Sequence, residues 1–320
     1  MPDVASRASG VTSFFWTLQE FCTEELLPFL FADAEDDRQQ YTIVVHNVTR
    51  RLATEARPLG DGGVRLEGRD VRSFRQLVDL LADLVTLDDA GHWTGRAVGG
   101  GTANAFVRRL HGSVRHLEHL IRADVVHADR HRVRFDRAQV TVVDLHNLHD
   151  RAKRFVVGVV LRRAFEEKER TGTARPLQFV VLDELNKYAP RDGTSPIKEL
   201  LLDVAERGRS LGIVLVGAQQ TASEVERRVV ANSAIRVVGR LDPAEAGRAE
   251  YGFLGDIARR RATILKPGSM FLSQPRLPVP VLLEFPFPAW ATRSAEADLS
   301  APTGPADPLP AADGDPFAGL

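Results

Sequence analysis

The sequence predicts an α/β fold built around a parallel sheet, and three observations carry that expectation. Leu177-Gln-Phe-Val-Val-Leu182 is an apolar, β-branched run that stops abruptly at Asp183-Glu184, as suits a buried parallel strand whose carboxyl end opens onto a ligand crevice. Residues 211–218 form a second such run, ending in Gln219-Gln220. Between them Ser195-Pro196 opens a stretch with Ile197, Leu200, Leu201 and Val204 at helical spacing, so strand, helix and strand alternate.

Composition sets the frame. A chain of 320 residues can bury a sizeable core, and a formal net charge of -1 gives no overall pull towards a polyanion. The single cysteine, Cys22, excludes an internal disulfide framework. No apolar stretch reaches the length of a membrane span, and the N-terminus lacks the plan of a signal peptide, so a cytoplasmic protein without membrane partners is expected. Only five of the 42 basic residues are lysine, and none of Lys153, Lys168, Lys187, Lys198 and Lys266 follows a glycine. The Gly-Lys-Ser/Thr of a Walker A phosphate loop is therefore absent from the sequence.

Taken in order, residues 1–10 carry no pattern and are expected to be loose. Phe14, Leu18, Phe21, Leu26 and Phe29 predict a helix within 11–30 ending near Pro28, followed by an acidic connector over 32–40. The β-branched stretch 41–46 reads as a strand. Gly60-Asp-Gly-Gly63 marks a turn, after which Phe74, Leu77, Val78, Leu81, Leu84 and Val85 predict a helix over 71–87. Residues 95–102 have the spacing of a phosphate loop with Gly101 in the lysine position, but the polar stretch 88–94 precedes them. They read instead as a flexible loop capped by Thr102, opening a helix over 102–122 with Phe106, Leu110, Val114, Leu117 and Ile121 inward.

His111, His116, His119, His127 and His131 lie on or near that helix without a cysteine and read as a solvated face. Asp144, His146, His149 and Asp150 are denser, and metal or phosphate contact is the alternative there. Residues 139–145 predict another buried strand. Phe155, Val159 and Phe165 predict a helix over 151–170 that Gly172 stops, giving a strand–helix–strand unit with 177–182. Residues 234–240 predict a strand ending in Arg240-Leu241-Asp242, 243–258 read as helical, and 263–265, 269–273 and 281–285 as short strands. From about 292 onward Ala, Pro, Asp and Gly predict a disordered tail.

The acids at 183–184 match a Walker B strand end. That chemistry uses two carboxylates for two jobs, Asp183 holding Mg²⁺ through its water shell and Glu184 polarising the attacking water. A strand running into an acidic turn is the plainer reading of the pair alone. The ordered series is more specific: Phe179-Val-Val-Leu-Asp183-Glu184, then Glu206-Arg207-Gly208-Arg209-Ser210-Leu211-Gly212, then Ile213-Val-Leu-Val-Gly-Ala218-Gln219-Gln220, then Asn232-Ser-Ala-Ile-Arg236 through Arg240, and Leu265-Lys-Pro-Gly268-Ser-Met-Phe271. This series resembles the C-terminal half of the motor domain in the HerA/FtsK class of ring-forming ATPases, and the upstream helices resemble the insertion of bacterial HerA-like proteins. Together the likeness covers most of residues 11–288.

The resemblance implies a RecA-like P-loop NTPase core lacking its Walker A strand, with a mainly helical insertion and a C-terminal β-hairpin. It implies an N-terminal remnant over 1–40, the insertion over 41–136, the core over 137–288 and the tail over 289–320. Asp183 would be the magnesium-associated carboxylate, Glu184 the catalytic base, Gln219 the γ-phosphate sensor and Arg209 an arginine finger given across a subunit interface. Arg240 would join Asp183, Glu184 and Gln219 around ATP. Singly, Arg207 and Arg209 also read as charge compensation at a helix C-terminus, and Gln219 as an ordinary strand-end amide. The implied partners are double-stranded DNA, held through its phosphates, and a homo-oligomeric ring, a hexamer in that class. Arg227, Arg228 and Arg259 to Arg261 are candidate phosphate contacts or a solvated charged face. The missing phosphate loop leaves a truncated gene, a split motor whose partner supplies the loop, or a chain that has lost hydrolysis. A non-catalytic interaction subunit and a conjugation or secretion ATPase relative are the alternative functions.

Overall fold

A computed structural model of the chain describes residues 12–31, 39–88, 90–96, 98–124, 128–135 and 138–286. The expectations for residues 1–10, for most of the connector over 32–40, for His127 and for the tail lie outside these residues. The chain divides into two compact units, Met1–Ala234 with Arg248–Glu250, and Ile235–Gly247 with Tyr251–Leu320. In the first, β1 (Trp16–Thr17) leads into α1 (Leu18–Thr23), α2 (Gln39–Glu55), β2 (Arg57–Pro58), β3 (Val64–Leu66), β4 (Arg69–Val71), α3 (Phe74–Thr86), α4 (Gly100–Leu117) and β5 (Ile121–Arg122). Then follow α5 (Asp150–Thr171), β6 (Gln178–Leu182), α6 (Pro196–Leu211), β7 (Ile213–Gly217) and α7 (Arg227–Asn232). The second holds β8 (Arg236–Val238), α8 (Pro243–Ala246), α9 (Gly255–Ala262), β9 (Ser269–Ser273) and β10 (Val281–Glu284).

The pair β6–β7 positions the candidate site. It is parallel, with Phe179 opposite Val214 and Val181 opposite Val216, and α6 makes the crossover between the two strands. The sequence predicts α6 closely: the Ser195 hydroxyl accepts from the Lys198 N–H at 3.2 Å, Pro196 takes the first helical position, and Gly212 ends the helix in the left-handed region at φ 72°. Gly212 cannot be replaced cheaply. A Cβ there would fall against the Ala174 carbonyl, and Gln178 N–H already donates to the Gly212 carbonyl at 2.9 Å. Gly212→Ala is expected to cost about 3 kcal/mol, from the left-handed backbone plus the clash, read as a fall in the urea unfolding midpoint.

One face of this pair is covered and the other is not. Val180 and Leu215 rest against a small cluster of Phe165, Val204 and Ile213, beneath α5 and α6. On the opposite face Phe179 is 63% and Val181 70% exposed, with Val216 beside them. Elsewhere the first unit is well filled. Phe155 of α5 meets Trp16 edge-on at 5.2 Å and Phe21 at 6.4 Å, while Phe21 meets Phe74 of α3 at 5.4 Å. Phe31 and Phe106 of α4 close the same core at 5.1 Å.

Several expectations need correcting. Residues 41–46 belong to α2, not to a strand: Tyr41, Val44, Val48 and Leu52 are all buried at three- and four-residue spacing, so packing on a helical face overrides β-branched composition. Residues 139–145 form no strand. Val143 and Leu145 touch the core while Val140 and Val142 are 75% and 83% exposed, an alternating pattern that is paired into none of the sheets among the described residues. The unit expected from 139–145 through α5 to β6 therefore lacks its first strand, while β6–α6–β7 forms as expected.

The helix expected within 11–30 shortens to α1, because Thr17 and Glu20 form a capping box that starts it late and Pro28 sits in a 3-10 turn, Leu27–Phe31. Helix α4 starts at Gly100 with Gly99 as its cap, so Thr102 lies inside it, and Ile121 pairs in β5 with Trp16. The turn at 60–63 belongs to a small antiparallel sheet, β2–β3–β4, that the sequence did not announce. The expected helical stretch is split by a 3-10 turn, Ala249–Leu254, and in the second unit Thr263 ends α9 instead of opening a strand. The order there is β10–β9–β8, all antiparallel, and β9–β10 is the expected hairpin.

Candidate functional site

The carboxyl ends of β6 and β7 bring the predicted acids and amide to one edge. Pairing continues past the strands: the Ala218 N–H donates to the Leu182 carbonyl at 2.9 Å, and the Leu185 N–H donates to the Ala218 carbonyl at 3.0 Å. Asp183 and Glu184 are clasped between those bonds, and Gln219 is the next residue along the partner strand. All three are exposed. Glu184 adopts φ 53° and ψ 50°, a left-handed conformation that a non-glycine residue holds only where its surroundings insist. The sharp reversal buries Leu185 and turns the chain away from the sheet.

The Glu184 carboxylate is already engaged. Lys187 Nζ donates to Glu184 Oε2 at 2.6 Å, and this bond holds the lysine ammonium above its ordinary value. The Glu184 N–H donates to Asp183 Oδ1 at 3.0 Å, which fixes the Asp183 carboxylate at the strand end. Sequence reasoning missed the Lys187 pairing. Its only signal was a lysine three residues after the second acid.

The remaining predicted residues are placed differently. Arg209 is exposed in the last turn of α6, which feeds the amino end of β7, so a strand length of roughly 16 Å separates that end of the sheet from the Asp183–Glu184 end. The structure does not bring Arg209 to the two acids within one chain. Arg207, two residues earlier, turns towards α5, pairing with Glu169 at 2.6 Å and lying over the Phe165 ring at 5.4 Å. Arg240 belongs to the second unit, exposed two residues past β8.

Among the candidate DNA contacts, Arg228 is paired with Glu206, Arg227 lies 4.0 Å from Glu250, and Arg259 pairs with Asp256 at 2.6 Å. The histidines serve separate local contacts. His116 stacks on His149 at 3.7 Å, His149 Nδ1 accepts from the Arg151 N–H at the start of α5, and His131 stacks on Phe15. Asp144 accepts from the His146 N–H at 2.9 Å.

A hydrated Mg²⁺ fits this edge and a triphosphate does not. Asp183 and Glu184 present exposed carboxylates at the strand end. That suits Mg²⁺, which keeps most of its waters and takes one or two carboxylates plus phosphate oxygens. The phosphate cradle, a glycine-rich turn with its lysine, is missing from the sequence.

No protein-family model matches the sequence, and no curated protein matches it. Solved structures do. The bacterial conjugative coupling protein TrwBdeltaN70, in its trigonal form with sulphate, superposes with a TM-score of 0.55 at 13% identity, over 88% of this chain and 73% of that one. The plasmid coupling protein TrwB with the GTP analogue GDPNP gives 0.54 at 12% identity over the same shares, 88% and 73%. The chain spans 62% of the genome packaging NTPase B204 from Sulfolobus turreted icosahedral virus 2, over 42% of its own length and at 12% identity, with a TM-score of 0.34 that adds nothing further. What the coupling-protein likeness establishes is the fold: this chain has the α/β, parallel-sheet architecture of RecA-type P-loop NTPases.

Proposed function

We propose that the chain is the Walker B half of an ATP-driven DNA motor of the HerA/FtsK class, a truncated or split form that hydrolyses nucleotide only when a phosphate loop is supplied from elsewhere. The observation that carries this is the convergence of Asp183, Glu184 and Gln219 on one parallel strand edge in a sequence without Gly-Lys-Ser/Thr. The bare face of β6–β7 supports it. Parallel sheets are stable with both faces covered, and a strand followed by a helix, the elements on either side of a phosphate loop, suits an apolar sheet face with Phe179 and Val181 outward.

In this reading Asp183 holds the hydrated Mg²⁺, Gln219 senses the terminal phosphate, and Arg240 contributes to the nucleotide site. Glu184 accepts the proton of the attacking water once Lys187 has released it. Bound Mg-ATP would supply the transferable phosphoryl group. Arg209 serves a neighbouring subunit, which its distance from the acids of its own chain favours. The ring is a homohexamer acting on double-stranded DNA in the cytoplasm, and the domain limits are those given above, 1–40, 41–136, 137–288 and 289–320.

A second reading, a non-catalytic subunit docking on an intact motor, is favoured by one observation: Glu184 is tied to Lys187. A conjugation-type cargo is a third. The test is nucleotide hydrolysis, with and without duplex DNA, by the chain alone and by the chain joined to the nearest upstream reading frame containing Gly-Lys-Ser/Thr. Hydrolysis only in the joined form is the expected result. If no such frame exists and the chain neither binds nor hydrolyses ATP, the motor reading is lost to the docking subunit.

A further inference from the structure

A cleft of about 640 Å³ opens just beyond the carboxyl ends of β6 and β7, next to the Asp183–Glu184 turn. Its walls carry four cations, Arg154 from α5, Lys187, Arg191 and Arg248, against two carboxylates, Asp192 and Glu224. Three of these groups, Arg191, Glu224 and Lys187, already have partners. Arg191 Nη1 donates to the Ser223 carbonyl at 3.0 Å and to Glu250 at 3.3 Å, and Glu224 accepts from Asn186 Nδ2 at 3.0 Å. Arg154 and Arg248 have no hydrogen-bond or ion-pair partner among the described residues, and the third cation, Lys187, holds Glu184 by an exposed bridge.

We propose that this cleft binds phosphate groups of the DNA backbone and that filling it draws Lys187 away from Glu184. The inference rests on the motor reading above and adds to it a device by which DNA contact frees the base. The chemistry favours the exchange. Two guanidiniums without carboxylate partners are forks suited to phosphate oxygens, and they line the same cleft as Lys187. The bridge to be broken has both side chains about half exposed, at 43% and 56%, so solvent already screens it and little is lost when the ammonium changes partner. Glu184 then faces water uncompensated, the state a general base requires.

The experiment uses the full chain and a fluorescein-labelled duplex of mixed sequence, with binding read by anisotropy over a salt series. The double variant Arg154→Glu, Arg248→Glu is expected to bind at least about ten-fold more weakly than the parent, with a salt slope shallower by about two counterions. Arg170→Glu, at the far end of α5, is the charge control and should bind within about two-fold of the parent. The neutral pair Arg154→Gln, Arg248→Gln should fall between parent and double variant, and serves if the acidic pair misfolds. Because lysines are so few, reductive ¹³C-methylation gives Lys187 a resolvable NMR signal. That signal is expected to move on adding duplex to the parent and to stay still in the double variant.

Equal DNA binding by parent and double variant would overturn the cleft proposal and leave the motor reading standing. Failure of the parent to bind duplex at all would remove both. Should inorganic tripolyphosphate shift the Lys187 signal where duplex does not, the cleft takes free phosphate, and DNA control of Glu184 is overturned.

Discussion

Replacing Glu184 with glutamine is expected to lower ATP hydrolysis by the loop-completed motor by about 10²–10⁴-fold, with nucleotide affinity kept within a few-fold. Glutamine preserves the size and the left-handed turn at 184, so Asp183 and Gln219 keep their places on the strand edge. What disappears is the oxygen that takes a proton, together with the anionic partner of Lys187. The predicted signature is a fall in kcat without a matching rise in KM, measured under steady state over a range of Mg-ATP concentrations spanning KM. Lys187→Met separates the two losses. Freed of its cation, Glu184 should support hydrolysis without waiting for DNA, so the ratio of DNA-stimulated to basal rate should approach one. A Glu184→Gln variant that retains most of its kcat would remove Glu184 from the chemistry and leave the strand end as a structural acid.

The second large effect concerns stability and lies far from the strand edge. Glu20 is 4% exposed and its carboxylate is fully used: Oε2 accepts from the Thr17 N–H at 2.8 Å and the Thr17 hydroxyl at 3.0 Å, and Oε1 accepts from Arg132 Nε at 2.6 Å and Arg163 Nη2 at 3.1 Å. Removing it takes from Arg163 of α5 one of its two carboxylates, the other being Glu24 at 2.8 Å, and opens half of the capping box of α1, a helix of six residues with little propensity to stand alone. Glu20→Ala is expected to cost about 3 kcal/mol, the lower end for breaking a buried ion pair, because Arg163 keeps Glu24 and the Arg132 side chain is 42% exposed and screened.

The pH dependence of that contribution has a definite sign. Burial pushes the Glu20 carboxyl up, but the Thr17 bonds and the two guanidiniums outweigh it and hold the group below its ordinary value. Its contribution is therefore complete above the ordinary carboxylate value and is lost as pH falls through the lowered folded one. The parent should lose stability on acidification more steeply than Glu20→Gln, as urea midpoints measured down a pH series would show.

Much of the site was legible because its signals are local. Ser195, Pro196 and Gly212 each fix a backbone conformation by their own chemistry, so α6 could be read residue by residue, and the apolar runs of β6 and β7 end in polar residues where the strands end. Residues 41–46 and 139–145 defeated the same reading for opposite reasons. The first run has β-branched residues but a helical burial pattern, and packing decides. The second has strand alternation but is paired into none of the sheets among the described residues, and a strand exists only when something pairs with it.

Arg207 and Arg209 are two residues apart in an Arg-Gly-Arg run and look equivalent until the helix turns one onto Phe165 and the other to solvent. The grip of Lys187 on Glu184 depends on a left-handed residue that no local pattern announces.

The uncovered face of β6–β7 carries a consequence for the life of the chain. Phe179 and Val181, outward on a strand, make the kind of surface that chaperones hold and proteases sample. If the proposed split motor is right, the chain made without the segment that covers that face is an orphan subunit, and in a cell its abundance should track that of its complement, rising when the two are made together and decaying when they are not.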